Sequence, residues 1–175
     1  MGSSDPTALD ISVVGVHDSE TGELSAFFVD EFPKLWKVLE NADALVGYNS
    51  DHFDIPLLNK YYPGDLKHIK SIDILKEIYG TLGRLVKLDA VAEGTLNMRK
   101  TGHGLDALKW WREGLKEKVR DYCLKDVELT RKIFDYALKN QSLKFSELGK
   151  IKEIKVNTAN WLKPQSGSLT HTLGF

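Results

Sequence analysis

The sequence predicts an α/β domain, a mixed sheet flanked by helices, and three observations carry that reading. Two strand-like runs, residues 11–16 and 24–29, are separated by the polar stretch Asp-Ser-Glu-Thr-Gly-Glu at 18–23, which suits a hairpin turn. A short apolar run at 44–48 leads into a helix-spaced segment marked by Phe53, Ile55, Leu57 and Leu58. The longest periodic stretch, residues 119–138, carries apolar or small residues at Val119, Cys123, Val127, Thr130, Phe134 and Ala137, a 3.6-residue spacing.

The elements follow in order. After the hairpin, residues 33–41 read as a short amphipathic helix with Leu35, Trp36, Val38 and Leu39. Residues 44–48 form a buried strand; Asn49 and Ser50 are capping types, and Pro56 suits the first turn of the helix that follows. Tyr-Tyr-Pro-Gly-Asp at 61–65 is a turn, 69–74 a short strand, and 75–82 a helix ending near Gly83. Arg99-Lys100-Thr101-Gly102-His103-Gly104 is a cationic loop ahead of a helix, either an exposed connector or a place for Lys100 to touch phosphate. In Lys109-Trp110-Trp111-Arg112, neighbouring indoles on a helix point about 100° apart, so at least one packs inward. Residues 150–156 alternate, as an edge strand with lysines outward does.

Composition sets further limits. A chain of 175 residues is one domain with room for a real core. The 24 Lys and Arg nearly balance 25 Asp and Glu, which argues against a protein held to duplex nucleic acid by backbone electrostatics. An enzyme gripping a few nucleotides at a single-stranded end remains compatible. The lone Cys123 excludes an internal disulfide; with no signal peptide and no long apolar segment, it predicts a cytoplasmic protein with no membrane contact. The expected organisation is a disordered or vector-derived start at 1–10, the domain proper at 11–140, an extended segment packed on it at 141–162, and a mobile tail at 163–175.

Two acidic positions stand out. Tyr122 and Asp126 lie one helical turn apart, and their row continues through Leu129 and Ile133. A carboxylate in line with buried residues costs several kcal/mol unless a salt bridge, a cap or a divalent metal compensates it. Asp54 falls at a strand-to-helix junction, where α/β folds present ligand-binding groups. The plainer role for Asp51 and Asp54 is electrostatic support of a helix N-terminus.

Taken together, Asn49…Phe53-Asp54 and Tyr122…Asp126 resemble the second and third signature segments of the DnaQ-like (DEDD) 3′–5′ exonucleases, whose fold is ribonuclease H-like. Tyrosine at position 122 points to the tyrosine subclass, similar to the proofreading domains of family B DNA polymerases and stand-alone prokaryotic relatives. Residues 87–93 look like the helix ahead of the final motif, and the resemblance spans roughly residues 11–138. It implies a metal-dependent 3′–5′ exonuclease acting on single-stranded DNA or RNA 3′ ends. Asp54 and Asp126 would be ligands of Mg²⁺ or Mn²⁺ in a two-metal site, and Tyr122 would orient the attacking water. Asn49 and Phe53 would lie beside the terminal nucleotide.

The first family motif, an Asp-x-Glu closing the first strand, is where the likeness breaks. Asp18 and Glu20 fit it locally, yet they occupy the expected turn, and residues 11–16 align better with the family's second strand. On that reading the first strand and its acid pair are missing, or supplied by a partner chain or an N-terminal segment. Half the carboxylates bind metal weakly. The implied alternative to an enzyme is a catalytically inactive module that binds nucleic acid or a protein partner.

Overall fold

A computed structural model describes residues 9–98 and 104–164. Readings placed on residues 1–8, on the cationic loop at 99–103 with Lys100, and on the chain beyond 164 lie outside the described residues.

The chain opens with an antiparallel hairpin, β1 (Val13–His17) and β2 (Leu24–Phe28), with Val13 opposite Phe28 and His17 opposite Leu24. Its turn is closed by backbone bonds from Asp18 N–H to Glu23 O at 2.9 Å and from Gly22 N–H to Asp18 O at 2.8 Å. Helix α1 (Phe32–Glu40) buries Phe32, Leu35 and Leu39, one face repeated every three or four residues. The parallel pair β3 (Ala44–Gly47) and β4 (Lys70–Asp73) follows, linked by the short helix α2 (Asp54–Leu58). Helices α3 (Ile74–Leu82), α4 (Leu88–Leu96), α5 (Gly104–Arg112) and α6 (Lys116–Asn140) come next. A final hairpin, β5 (Ser142–Glu147) and β6 (Lys150–Lys155), completes the order.

The mixed α/β content matches the sequence reading, but among the described residues the strands form three separate two-stranded sheets: β1–β2, β3–β4 and β5–β6. Apolar burial is divided in the same way. One cluster gathers Ile72, Ile74, Ile78, Val91, Ile133 and Leu143 against α6; the other gathers Phe32, Leu35, Leu39, Ile55 and Leu66 around α1. Beyond β6 the chain is fastened to the domain. Trp161 stacks on Phe134 with centroids 5.2 Å apart, and the Lys70 ammonium donates to the carbonyls of Asn160, Trp161 and Lys163 at 2.5–2.8 Å.

Both paired tryptophans pack. Trp111 stacks on Phe28 at 6.5 Å, and Trp110 meets the Tyr122 ring edge-on at 6.1 Å. Among the described residues no helix is long and apolar enough to cross a membrane.

Candidate active site

Helix α6 presents the third acidic motif much as its periodicity dictates. Val119, Leu129, Ile133 and Ala137 are buried, while Tyr122, Cys123 and Asp126 are half-buried on the turns between them. Strand β1 lies directly against this stretch. A Cβ added to Gly15 would stand 2.8 Å from Val127 Cγ2 and 3.0 Å from Cys123 Sγ, so only glycine allows the strand to approach this closely.

The second motif is held differently from the sequence expectation. Asn49 and Ser50 do not cap α2; its N-cap is Phe53, with no side-chain bond to the helix. Instead, the buried Asp73 carboxylate accepts the N–H of Asn49 at 2.8 Å and of Asp51 at 3.0 Å. The same carboxylate caps α3 through the N–H groups of Leu75 and Lys76. An ionised acceptor is stronger than the neutral capping side chains, which explains why the corner folds toward Asp73. Asn49 takes a left-handed conformation, φ 63°, as the chain turns. Asp51 is occupied too, accepting from the Ser71 hydroxyl and from Lys76 Nζ at 3.1 Å. Asp73 is the site-supporting residue that the sequence reading missed; its signal was an acid between a strand-like and a helix-like run.

Asp54 opens α2 beside the 38 % exposed Phe53. Asp54 is exposed as a residue, yet the protein around its carboxyl displaces enough water to push its pKa up to about 6. A backbone hydrogen bond opposes this rise, and the nearby Asp73 charge adds to it. Because the folded pKa lies above the ordinary carboxylate value, the folded state holds this proton more tightly than the unfolded chain. Stability therefore falls as pH rises from about 4 through 6. Asp54→Asn is expected to raise the melting temperature at neutral pH, and the gain should vanish near pH 4 in calorimetry at matched pH.

The two acidic motifs meet along one cleft of about 2410 Å³, which Phe53, Asp54, Tyr122, Cys123 and Asp126 all line. Cys123 reports both charges. Burial above all, with smaller contributions from the Asp126 and then the Asp54 charge, pushes its thiol up to about 11 against a backbone hydrogen bond from Gly15. The Tyr122 hydroxyl is buried.

Asp18 and Glu20 remain in the hairpin turn, where Asp18 Oδ1 accepts the N–H of Glu20 at 2.8 Å and of Thr21 at 3.4 Å. Satisfying its own turn is the local role that a short acid of this kind favours. Hard divalent cations take oxygen donors, which Asp54 and Asp126 can supply. Among the described residues, however, no group of three or more His, Cys, Asp and Glu side chains is placed to hold an ion. The acids at 18 and 20 thus do not join those at 54 and 126, and the described residues do not complete a two-ion centre.

With this geometry in place, comparison with known families assigns the chain. A family described as the RNase H superfamily matches residues 3–138, well over half the sequence. The protein belongs to that superfamily and carries its nuclease-like fold; members usually hydrolyse nucleic acids and generally use divalent metals. Neither the curated proteins nor the solved structures give a match.

Proposed function

We propose that this domain is a 3′–5′ exonuclease of the tyrosine DEDD type, working on single-stranded 3′ ends, with an acidic site that residues 9–164 only half furnish. The observation that supports this most is the sharing of one cleft by Asp54 and Asp126, from distant parts of the sequence, with Phe53 and Tyr122 beside them. Phe53 offers a partly exposed aromatic face to a terminal base or sugar. Asn49, whose backbone N–H is held by Asp73 on the same corner, does not line the cleft. Asp54 and Asp126 concentrate negative charge where a single hard cation would be held weakly. Low turnover follows from the donor count, because two carboxylates offset ion dehydration less than four do.

The test is a time course with 5′-labelled single-stranded DNA and RNA in Mg²⁺ or Mn²⁺. Slow laddering by the native chain, lost in both Asp54→Asn and Asp126→Asn, is the expected outcome. Laddering that survives both substitutions rules the reading out.

A second reading has its own support. The lack of a three-ligand group among the described residues favours a catalytically inactive module that retains binding. Strand binding without laddering in either metal would select it.

A further inference from the structure

A strand whose 3′ end enters the cleft meets an unfavourable charge there. Eight Asp and Glu line the cleft against four Lys and Arg. Two of those cations are already engaged: the Lys70 ammonium donates to three backbone carbonyls, and Arg131 pairs with Asp135 at 3.3 Å. Such walls repel a phosphate backbone. The attraction that holds the strand has to come from beside the cleft.

Helix α6 supplies it. Several of its cations are occupied: Lys116 lies over the rings of Phe28 and Trp111 at 6.0 and 5.6 Å, Arg120 pairs with Glu117 at 3.3 Å, and Lys132 pairs with Glu128 at 3.2 Å. Lys118 and Lys125 differ. Both are exposed, and among the described residues neither forms an ion pair, although Asp121 stands within one helical turn of each.

Their spacing puts them on one face of the helix. Residues two turns apart return to nearly the same angle, about 10 Å further along the axis. Lys118 precedes Tyr122 by one turn, and Lys125 follows it by one. Each also adjoins a residue that lines the cleft, Val119 in the first case and Asp126 in the second. The two lysines do not line it themselves. They bracket Tyr122 along the rim, outside the acidic walls.

We propose that Lys118 and Lys125 form a phosphate grip for single-stranded nucleic acid, holding the linkages just upstream of the terminal nucleotide. The grip rests on the reading of the cleft as the seat of a strand's 3′ end. It takes the strand by its backbone, so it accepts any base sequence. It also divides the labour: the rim supplies affinity, and the acidic interior receives the end alone.

The experiment measures binding without turnover. A 5′-fluorescein-labelled oligothymidine strand is titrated with the full chain in EDTA over a range of salt concentrations. Lys118→Gln combined with Lys125→Gln should make the slope of log Kd against log salt shallower by about 1.4, because each single-strand phosphate contact contributes about 0.7. This amounts to binding about 25-fold weaker near 0.1 M salt, a difference that fades toward 1 M. Arginine at both positions should restore the slope. Lys139→Gln makes the same charge change in the exposed last turn of α6 and should leave the slope as it is. Neutral methylphosphonates at the last few 3′ linkages should reduce the slope for the native chain and add little to the loss in the double variant.

Four results overturn the proposal: no saturable binding by the native chain, an unchanged slope in the double variant, an equal loss in Lys139→Gln, or an equal effect of methylphosphonates at the 5′ end. The nuclease reading fails separately. A slope change without laddering in Mg²⁺ or Mn²⁺ leaves the grip standing on an inactive binding module, whereas laddering with an unchanged slope removes the grip alone.

Discussion

Asp73→Ala is expected to cost about 3 kcal/mol of folding stability and to lower the pKa of Asp54. One carboxylate serves two structures at once: it caps α3 through Leu75 and Lys76, and it pins the corner after β3 through Asn49 and Asp51. Losing a helix cap costs about 1 kcal/mol, and each hydrogen bond to a charged group adds about 1.5 kcal/mol or less once water replaces it. The second effect has a fixed sign. Asp73 charge is one of the influences holding the Asp54 carboxyl near 6, so its removal favours ionisation of Asp54. Urea unfolding gives the first quantity and carboxyl-detected NMR titration the second. Asp73→Asn keeps the shape and one acceptor oxygen, so it should lose less stability while giving a similar shift. An unmoved Asp54 titration in both variants would separate Asp73 from the site.

Gly94→Ala is the other large effect, and here the loss comes from crowding. A Cβ at this position would lie 2.5–2.6 Å from the N, Cα and C of Phe145, backbone atoms of β5 that cannot rotate aside. The neighbouring Thr95 fixes the spacing: its hydroxyl donates to Lys144 O at 2.7 Å and accepts the Lys144 N–H at 2.9 Å. Overpacking of this kind costs about 3 kcal/mol, while alanine returns about 1 kcal/mol through helix propensity. The net loss of about 2 kcal/mol should appear as a melting temperature lower by about 6 °C. An unchanged or raised melting temperature would show that α4 and β5 can slide apart. Gly94→Ser, which lacks that propensity gain, should be worse still.

Local patterning made much of this fold legible, and its failures share a physical cause. The turn at 18–23 was readable because Asp18 and Gly22 satisfy it within six residues. Helix α6 was readable because its apolar repeat persists over many turns, and the end of α3 because Gly83 closes it in a left-handed conformation. The role of Asp73 was not legible, since its bonds to Asn49 and Asp51 span more than twenty positions. Strand β5 was missed for a related reason. Ser142-Leu143-Lys144-Phe145 is too short and mixed to announce a strand, and its stability comes from α4 and β6. The division of the sheet into three parts is likewise a long-range property that periodicity does not record. At the candidate site, the sequence singled out Asp54, Tyr122 and Asp126 but said nothing of Gly15, whose missing side chain admits β1 against α6.

The claim on which this account turns is that Asp54 and Asp126 face one cation-accessible space. Paramagnetic broadening tests it most directly. Titrating Mn²⁺ into the ¹³C-aspartate-labelled native chain should broaden the side-chain carboxyl signals of Asp54 and Asp126 together, at the same ion concentration. Either substitution to Asn should weaken the effect on the remaining acid. Broadening of one signal without the other, or of neither while other carboxylates respond, would place the two acids in separate surroundings and contradict the account.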